Sequence, residues 1–163
     1  MSVMYLESSP TADDAVNWRA FEQLVAKHVA ALDPKAQVTH DARLKGRLSG
    51  IERQIDVLAR GSLAGSTITI AFECKCYKRS VGLATIEEFI GKLHDLAVDR
   101  GVLCIFGDIT EPAFRRLAHT SHPQVDLYVW RKPKLKAWEI DINERGEEVL
   151  TPVYYRVTPE SFF

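Results

Sequence analysis

The sequence predicts an α/β domain with core order αβββαβ, in which a central mixed sheet is flanked by helices and a β-hairpin is added at the C-terminus. Three observations predict it. Apolar residues recur at helical spacing in 13–32 and again after Thr85, and short alternating or wholly apolar runs bounded by glycines lie around these helices. The succession of strand 66–77, helix and strand 102–106 through short connections is that of a crossover joining two parallel strands.

Residues 1–10 read as a loose arm, after which Thr11, Asp13 and Asp14 offer N-caps to a helix over 13–32. Trp18, Phe21, Val25, Val29 and Leu32 make its core-facing stripe, and Asp33 and Pro34 end it. A strand over 36–44 leads to a turn marked by Gly46, Ser49 and Gly50. Strands over 52–60 and 66–77 follow, joined as a hairpin through Gly61 and Gly65. Thr85 then caps a helix carrying Ile86, Phe89, Ile90, Leu93 and Ala97, which Gly101 closes. The run VLCIF at 102–106 has the all-apolar character of a strand buried on both faces. A helix from Thr110 to about His119, with Pro112 in its first turn, precedes a strand over 125–130. Segments 136–142 and 149–157 around Asn143 and Gly146 read as the terminal hairpin. No linker, repeat or low-complexity stretch divides the chain, so 1–163 reads as one domain.

The 163 residues are 46% hydrophobic, enough to close a core without disulfides or a structural metal. A net charge of −1 removes any argument from overall basicity toward nucleic acid or membranes, but leaves local patches open. The start MSVMYLESSPTADD has neither a basic region nor an apolar one, and no run approaches a membrane span, so the expected location is cytoplasmic. Cys74, Cys76 and Cys104 lie in apolar strand sequence and read as reduced thiols. A zinc reading lacks a fourth ligand and the usual pairing of cysteines.

Strand alternation places Ala71, Glu73 and Lys75 on one face and Phe72, Cys74 and Cys76 on the other. In the preceding strand it places Gln54, Asp56 and Leu58 together, with Ile55 and Val57 opposite. Hairpin pairing then sets Asp56 beside Glu73, giving two carboxylates and a lysine in apolar surroundings. Phosphodiester hydrolysis uses such groups: carboxylates hold a hard cation such as Mg²⁺, and a lysine orients water or offsets developing charge. The other reading is a structural ion pair, which two acids on one base would leave uncompensated.

Asp56, sixteen residues, then Glu73-Cys74-Lys75 resembles the signature of the PD-(D/E)xK nuclease superfamily. More narrowly, SGIERQIDVL, IAFECKCYKRSVG, IEEFIGKLHDLAVDRG and VLCIFGDITEPAFRRLA are similar to the Mrr-like restriction endonuclease family, over roughly 20–119, with 125–163 as a C-terminal extension. The resemblance implies a restriction-endonuclease-like fold and a metal-dependent DNA endonuclease using Mg²⁺, or Mn²⁺ in its place. It makes Asp56 and Glu73 metal ligands and Lys75 the catalytic lysine, puts the Cys74 carbonyl near the metal, and matches a further acidic position to Glu22. Ile55 stands where the superfamily's name has proline. The family's usual DNA-binding partner domain has no counterpart in this sequence, which leaves target selection open.

Several residues keep two readings. Glu22 is a site acid or a solvated helix residue; Gln54 binds substrate or satisfies a strand-end hydrogen bond; His40 approaches the site or is structural. Arg43, Lys45, Arg47 and Arg53 before the acidic centre, with Lys78 and Arg79 after it, are placed to straddle a phosphate backbone, whereas Arg131, Lys132, Lys134 and Lys136 fit a solvated loop. Duplex DNA is the expected partner, and a homodimer would let two sites reach both strands. The alternatives are a nucleic-acid-binding or regulatory module of the same fold without turnover, and a structure-specific nuclease such as a junction resolvase.

Overall fold

The computed structural model describes residues 1, 3–5, 18–76, 79–130, 137–142 and 148–153. Its elements are β1 (Val3–Tyr5), α1 (Trp18–Leu32), β2 (Gln37–Lys45), β3 (Glu52–Leu63), β4 (Ser66–Cys76), α2 (Leu83–Leu96), β5 (Arg100–Phe106), α3 (Glu111–Ala118), β6 (Gln124–Val129), β7 (Ala137–Ile142) and β8 (Glu148–Val153). The main sheet runs β1-β6-β5-β4-β3-β2, antiparallel from β2 to β4 and parallel from β4 onward. The mixed αβββαβ core is therefore present, with α2 as the connection between parallel β4 and β5. Val3–Tyr5 joins β6 as a further parallel strand, where the sequence reading has only a loose arm. β7 and β8 pair with each other antiparallel in a separate sheet, and residues 143–147 and 154–157 lie outside the described set.

Two apolar layers cover the main sheet. On one face Phe21, Val25 and Val29 of α1 pack with Val57, Ala59, Phe72, Val102, Cys104 and Trp130. On the other, Ile86, Phe89, Ile90 and Leu93 of α2 and Leu117 of α3 pack with Ile55, Leu58, Ala71, Leu103, Ile105 and Leu127. Burial of such side chains, at about 25 cal/mol per Å² of apolar surface, is the main term holding helices to sheet. The predicted α1 stripe is shorter than its spacing implies: Trp18 is 54% and Leu32 60% exposed, and these are the first and last residues of the helix. The candidate caps Thr11, Asp13 and Asp14 lie outside the described residues.

Three local readings are corrected. The β3–β4 turn is Ala64-Gly65, both at positive φ (50° and 82°), the two-residue geometry that matches strand twist, so Gly61 lies within β3. Gly82 rather than Thr85 occupies the N-cap of α2, in extended conformation, and Thr85 falls inside the first turn. Ala97, left-handed at φ 52°, ends that helix, its N–H donating to the Leu93 carbonyl. Gly101 belongs to β5, where a Cβ would collide with Leu93, so its role is close helix–sheet packing.

The fourth correction shapes the site. Asp41 in β2 is left-handed (φ 52°), and the β2–β3 register passes from His40↔Val57 to Ala42↔Ile55 with no pairing between Asp41 and Asp56. Side chains exchange faces there. Val38, Val57 and Ala59 belong to the α1 layer, whereas Ala42, Leu44 and Ile55 join the α2 layer with Leu58. Ile55 and Val57 therefore do not share a face, as strict alternation had implied. The hairpin end bends over α2, and β3 leaves β4 beyond the pair Val57↔Phe72.

Candidate active site

Asp56 stands where β3 departs from β4. Its Oδ2 accepts the Cys74 N–H at 2.7 Å, taking the place of the carbonyl a continued ladder would supply. A strand residue directs its N–H and C=O to the same neighbour, so the Cys74 carbonyl also faces this opened edge. Oδ1 of Asp56 accepts no hydrogen bond from a described residue. Burial raises the Asp56 carboxyl from 3.8 to about 6; the nearby Glu73 and Glu22 charges raise it too, against the lowering effect of the Cys74 N–H and Lys75.

Glu73 is buried, and each of its oxygens meets a lysine. Lys75 Nζ lies 2.8 Å from Oε1 and Lys92 Nζ 2.7 Å from Oε2. Lys75 arrives by strand alternation, two residues along β4. Lys92 arrives from α2, which the crossover lays over that face, and the sequence pattern does not distinguish it. Its signal there is only a basic residue beside the apolar position Leu93, which an exposed helix face would show equally. The second lysine supplies the compensation that a two-acids-on-one-base arrangement lacks.

Glu22, buried on α1, lies with Oε2 3.1 Å from His40 Nε2 and accepts its N–H in the tautomer that carries the proton on that nitrogen. Its carboxylate is close enough to Asp56 to raise that group's pKa. The structure thus gathers Asp56, Glu73, Lys75 and Glu22 with His40 against Glu22, and adds Lys92. Gln54 is exposed and donates to Asp41 Oδ1 at 2.8 Å, beside the left-handed residue of β2. Arg79 is exposed, and Lys78 and 131–136 lie outside the described residues.

The basic cluster before the site is divided in role. Arg43 pairs with Glu52 at 3.0 Å and Arg53 with Asp95 at 2.7 Å. Asp95, buried at the end of α2, also takes Ser49 Oγ at 2.6 Å, and these donors hold its carboxyl far below the usual range. The Cys74 thiol lies opposite Cys104 in the β4–β5 register; their hydrogen bond, then burial, pushes it strongly up, so it stays protonated. Burial also raises Cys76.

Among the described residues, no three acidic, histidine or cysteine side chains form a closed ligand group. Mg²⁺ does not require one, since it keeps several waters and takes one or two carboxylates. Asp56, a half-buried hard-oxygen donor beside a second carboxylate, has the chemistry for such an ion.

This mixed sheet, antiparallel from β2 to β4 and parallel beyond, with α1 on one face and α2 and α3 on the other, has the restriction-endonuclease-like α/β architecture. The chain belongs to the restriction endonuclease family of Mrr catalytic domains, which matches residues 14–138. Among solved structures, "Protein of Unknown Function AF1548" is similar at 17% identity and TM-score 0.58, covering 72% of this chain and 61% of its own. The DNA modification-dependent restriction endonuclease AspBHI aligns at 23% identity and TM-score 0.45, over 66% of this chain and 27% of its own. The MspJI restriction endonuclease in complex with a 27-mer oligonucleotide aligns at 22% and 0.47, over 68% and 25%. The chain thus spans less than two thirds of each of these proteins. No curated protein matches it in sequence. No helix among the described residues is long and apolar enough to cross a membrane.

Proposed function

We propose that the chain is a divalent-cation-dependent endonuclease that hydrolyses phosphodiester bonds in duplex DNA, with Mg²⁺ as its ion and Mn²⁺ as a substitute. The observation that carries this reading is Asp56, raised to about 6 beside Glu73, at an opened strand edge carrying the Cys74 carbonyl. Asp56, Glu73 and that carbonyl would hold the ion, which when bound supplies an acidified water and offsets charge on the phosphate. Lys75 orients the attacking water and stabilises charge growing at the scissile phosphate. Glu22, fixed by His40, adds negative potential beside Asp56 that favours a cation. Cutting both strands calls for two such centres, supplied by a second copy or a second encounter.

Engagement of both Glu73 oxygens by lysines favours one other reading, a module that binds nucleic acid without turnover. Incubation with duplex DNA, single-stranded DNA and RNA in Mg²⁺, Mn²⁺ or EDTA separates the two. Cleavage of duplex that EDTA abolishes supports the nuclease, while undiminished cleavage in EDTA sinks the metal assignment. Binding with no cleavage in either cation supports the module.

A further inference from the structure

The turn between β2 and β3 is held more firmly than a surface turn needs to be. Asp95 of α2 fastens it at five points. Its carbonyl accepts the Arg47 N–H at 2.7 Å, Oδ1 accepts the N–H groups of Leu48 (3.1 Å) and Ser49 (2.8 Å), and Oδ2 accepts Ser49 Oγ (2.6 Å) and Arg53 Nε (2.7 Å). A Cβ on Gly46 would collide with the Asp95 carboxylate, so glycine is what lets the turn lie this close. Within the turn, Gly46 N–H donates to the Ile51 carbonyl at 2.7 Å and Gly50 N–H to the Gly46 carbonyl at 2.9 Å.

All this anchoring is polar. The two large apolar side chains of the turn take no part in it: Leu48 is 71% and Ile51 59% exposed. Exposed Lys45 and Arg47 flank them, and no described residue accepts a hydrogen bond or ion pair from either cation. A rigid tip with apolar residues between uncommitted cations complements a polyanion that has an apolar interior. In a nucleic-acid duplex, phosphates meet Lys and Arg while aliphatic side chains lie against sugars or wedge between bases.

The turn also lies beside the candidate site. Asp95, which holds the turn, is three residues from Lys92, which holds Glu73, so the two are neighbours on one helix surface. Ile51, immediately before β3, is five residues from Asp56, about 16 Å of extended chain, comparable with the roughly 12 Å width of a major groove.

We propose that the β2–β3 turn docks duplex DNA next to the active site, Lys45 and Arg47 taking backbone phosphates and Leu48 lying in the groove; this rests on the nuclease reading above. The test is binding of a labelled duplex to the full chain in Ca²⁺, over a series of salt concentrations. Lys45→Ala with Arg47→Ala is expected to weaken binding about tenfold or more and to reduce the salt slope by about two. Leu48→Ser is expected to weaken binding at unchanged slope. Both variants should unfold at the wild-type temperature, since these side chains are exposed, and a lower temperature counts against the proposal. Turn variants that bind as the wild type does overturn it, while cleavage lost in Asp56→Asn alone leaves the nuclease reading standing. A wild type that binds no duplex overturns both. Loss of a dimer in Leu48→Ser at unchanged DNA affinity assigns the turn to self-association and also overturns the proposal.

Discussion

Lys92 Nζ lies 2.7 Å from Glu73 Oε2, on the carboxylate whose other oxygen is held by Lys75, and both partners are largely shielded from water. In the cation-free protein Glu73 is therefore charge-compensated from within. Removing Lys92 leaves Glu73 with one partner beside a second acid. Lys92→Met is expected to lower stability in EDTA by about 3 kcal/mol, the usual cost of breaking a buried pair. Saturating Mg²⁺ should restore more stability to this variant than to the wild type. Denaturant unfolding with and without the ion checks both, and a variant as stable as the wild type in EDTA would show that the pair contributes nothing.

Asp56 gives a pH dependence of defined sign. Its pKa rises from 3.8 to about 6 on folding, so the folded state binds the proton more tightly than the unfolded one. The associated stability is fully present below the unfolded value and is lost as pH rises through about 6, on the order of 3 kcal/mol in metal-free protein. Asp56→Asn should flatten that part of the profile, be at least as stable as the wild type near neutral pH, and lose cation binding and cleavage together. A strongly destabilised Asp56→Asn protein in EDTA would show instead that the carboxylate serves a structural ion pair.

Lys75→Ala separates holding an ion from using it. Calorimetric titration with Mn²⁺ should register binding, while nicking falls by about a hundredfold or more, the usual scale for removing a group that positions water or a proton. Metal affinity lost to the same extent as in Asp56→Asn would mean that these roles are wrongly divided.

Gly101 tests the packing that carries Lys92 to Glu73. A methyl group there would meet Leu93 and Phe89, so Gly101→Ala is expected to cost about 1–3 kcal/mol by overpacking and to push α2 off the sheet. Thermal unfolding reads the first effect. A fall in Mn²⁺ affinity larger than in any surface variant reads the second, and wild-type values for both would show that the helix adjusts without consequence.

Much of this was legible in the sequence because it follows local periodicity. Glu73 and Lys75 share a face by alternation, and Phe89, Ile90 and Leu93 mark a helix stripe whatever the tertiary arrangement. The exchange of faces at Asp41 was not legible, since a left-handed aspartate has no neighbour that announces it and only the pairing of two bent strands reveals its effect. Lys92 was hidden for a different reason. Its partner is fixed by how α2 crosses β4, a relation between distant segments that spacing within either one does not encode. Val3–Tyr5 is too short for any period to stand out, and it is a strand only because β6 accepts it.

The departure of β3 from β4 has a consequence for solubility. Beyond Phe72, the β3-facing edge of β4 has no strand partner among the described residues, and a bare edge of this kind is a template on which another chain can add a strand. Here the Cys74 N–H is already taken by a carboxylate, and an incoming strand would have to displace Asp56 next to two more acids. The charges suited to an ion thus also act as gatekeepers against aggregation. An apolar replacement of Asp56 would remove both protections with a single side chain.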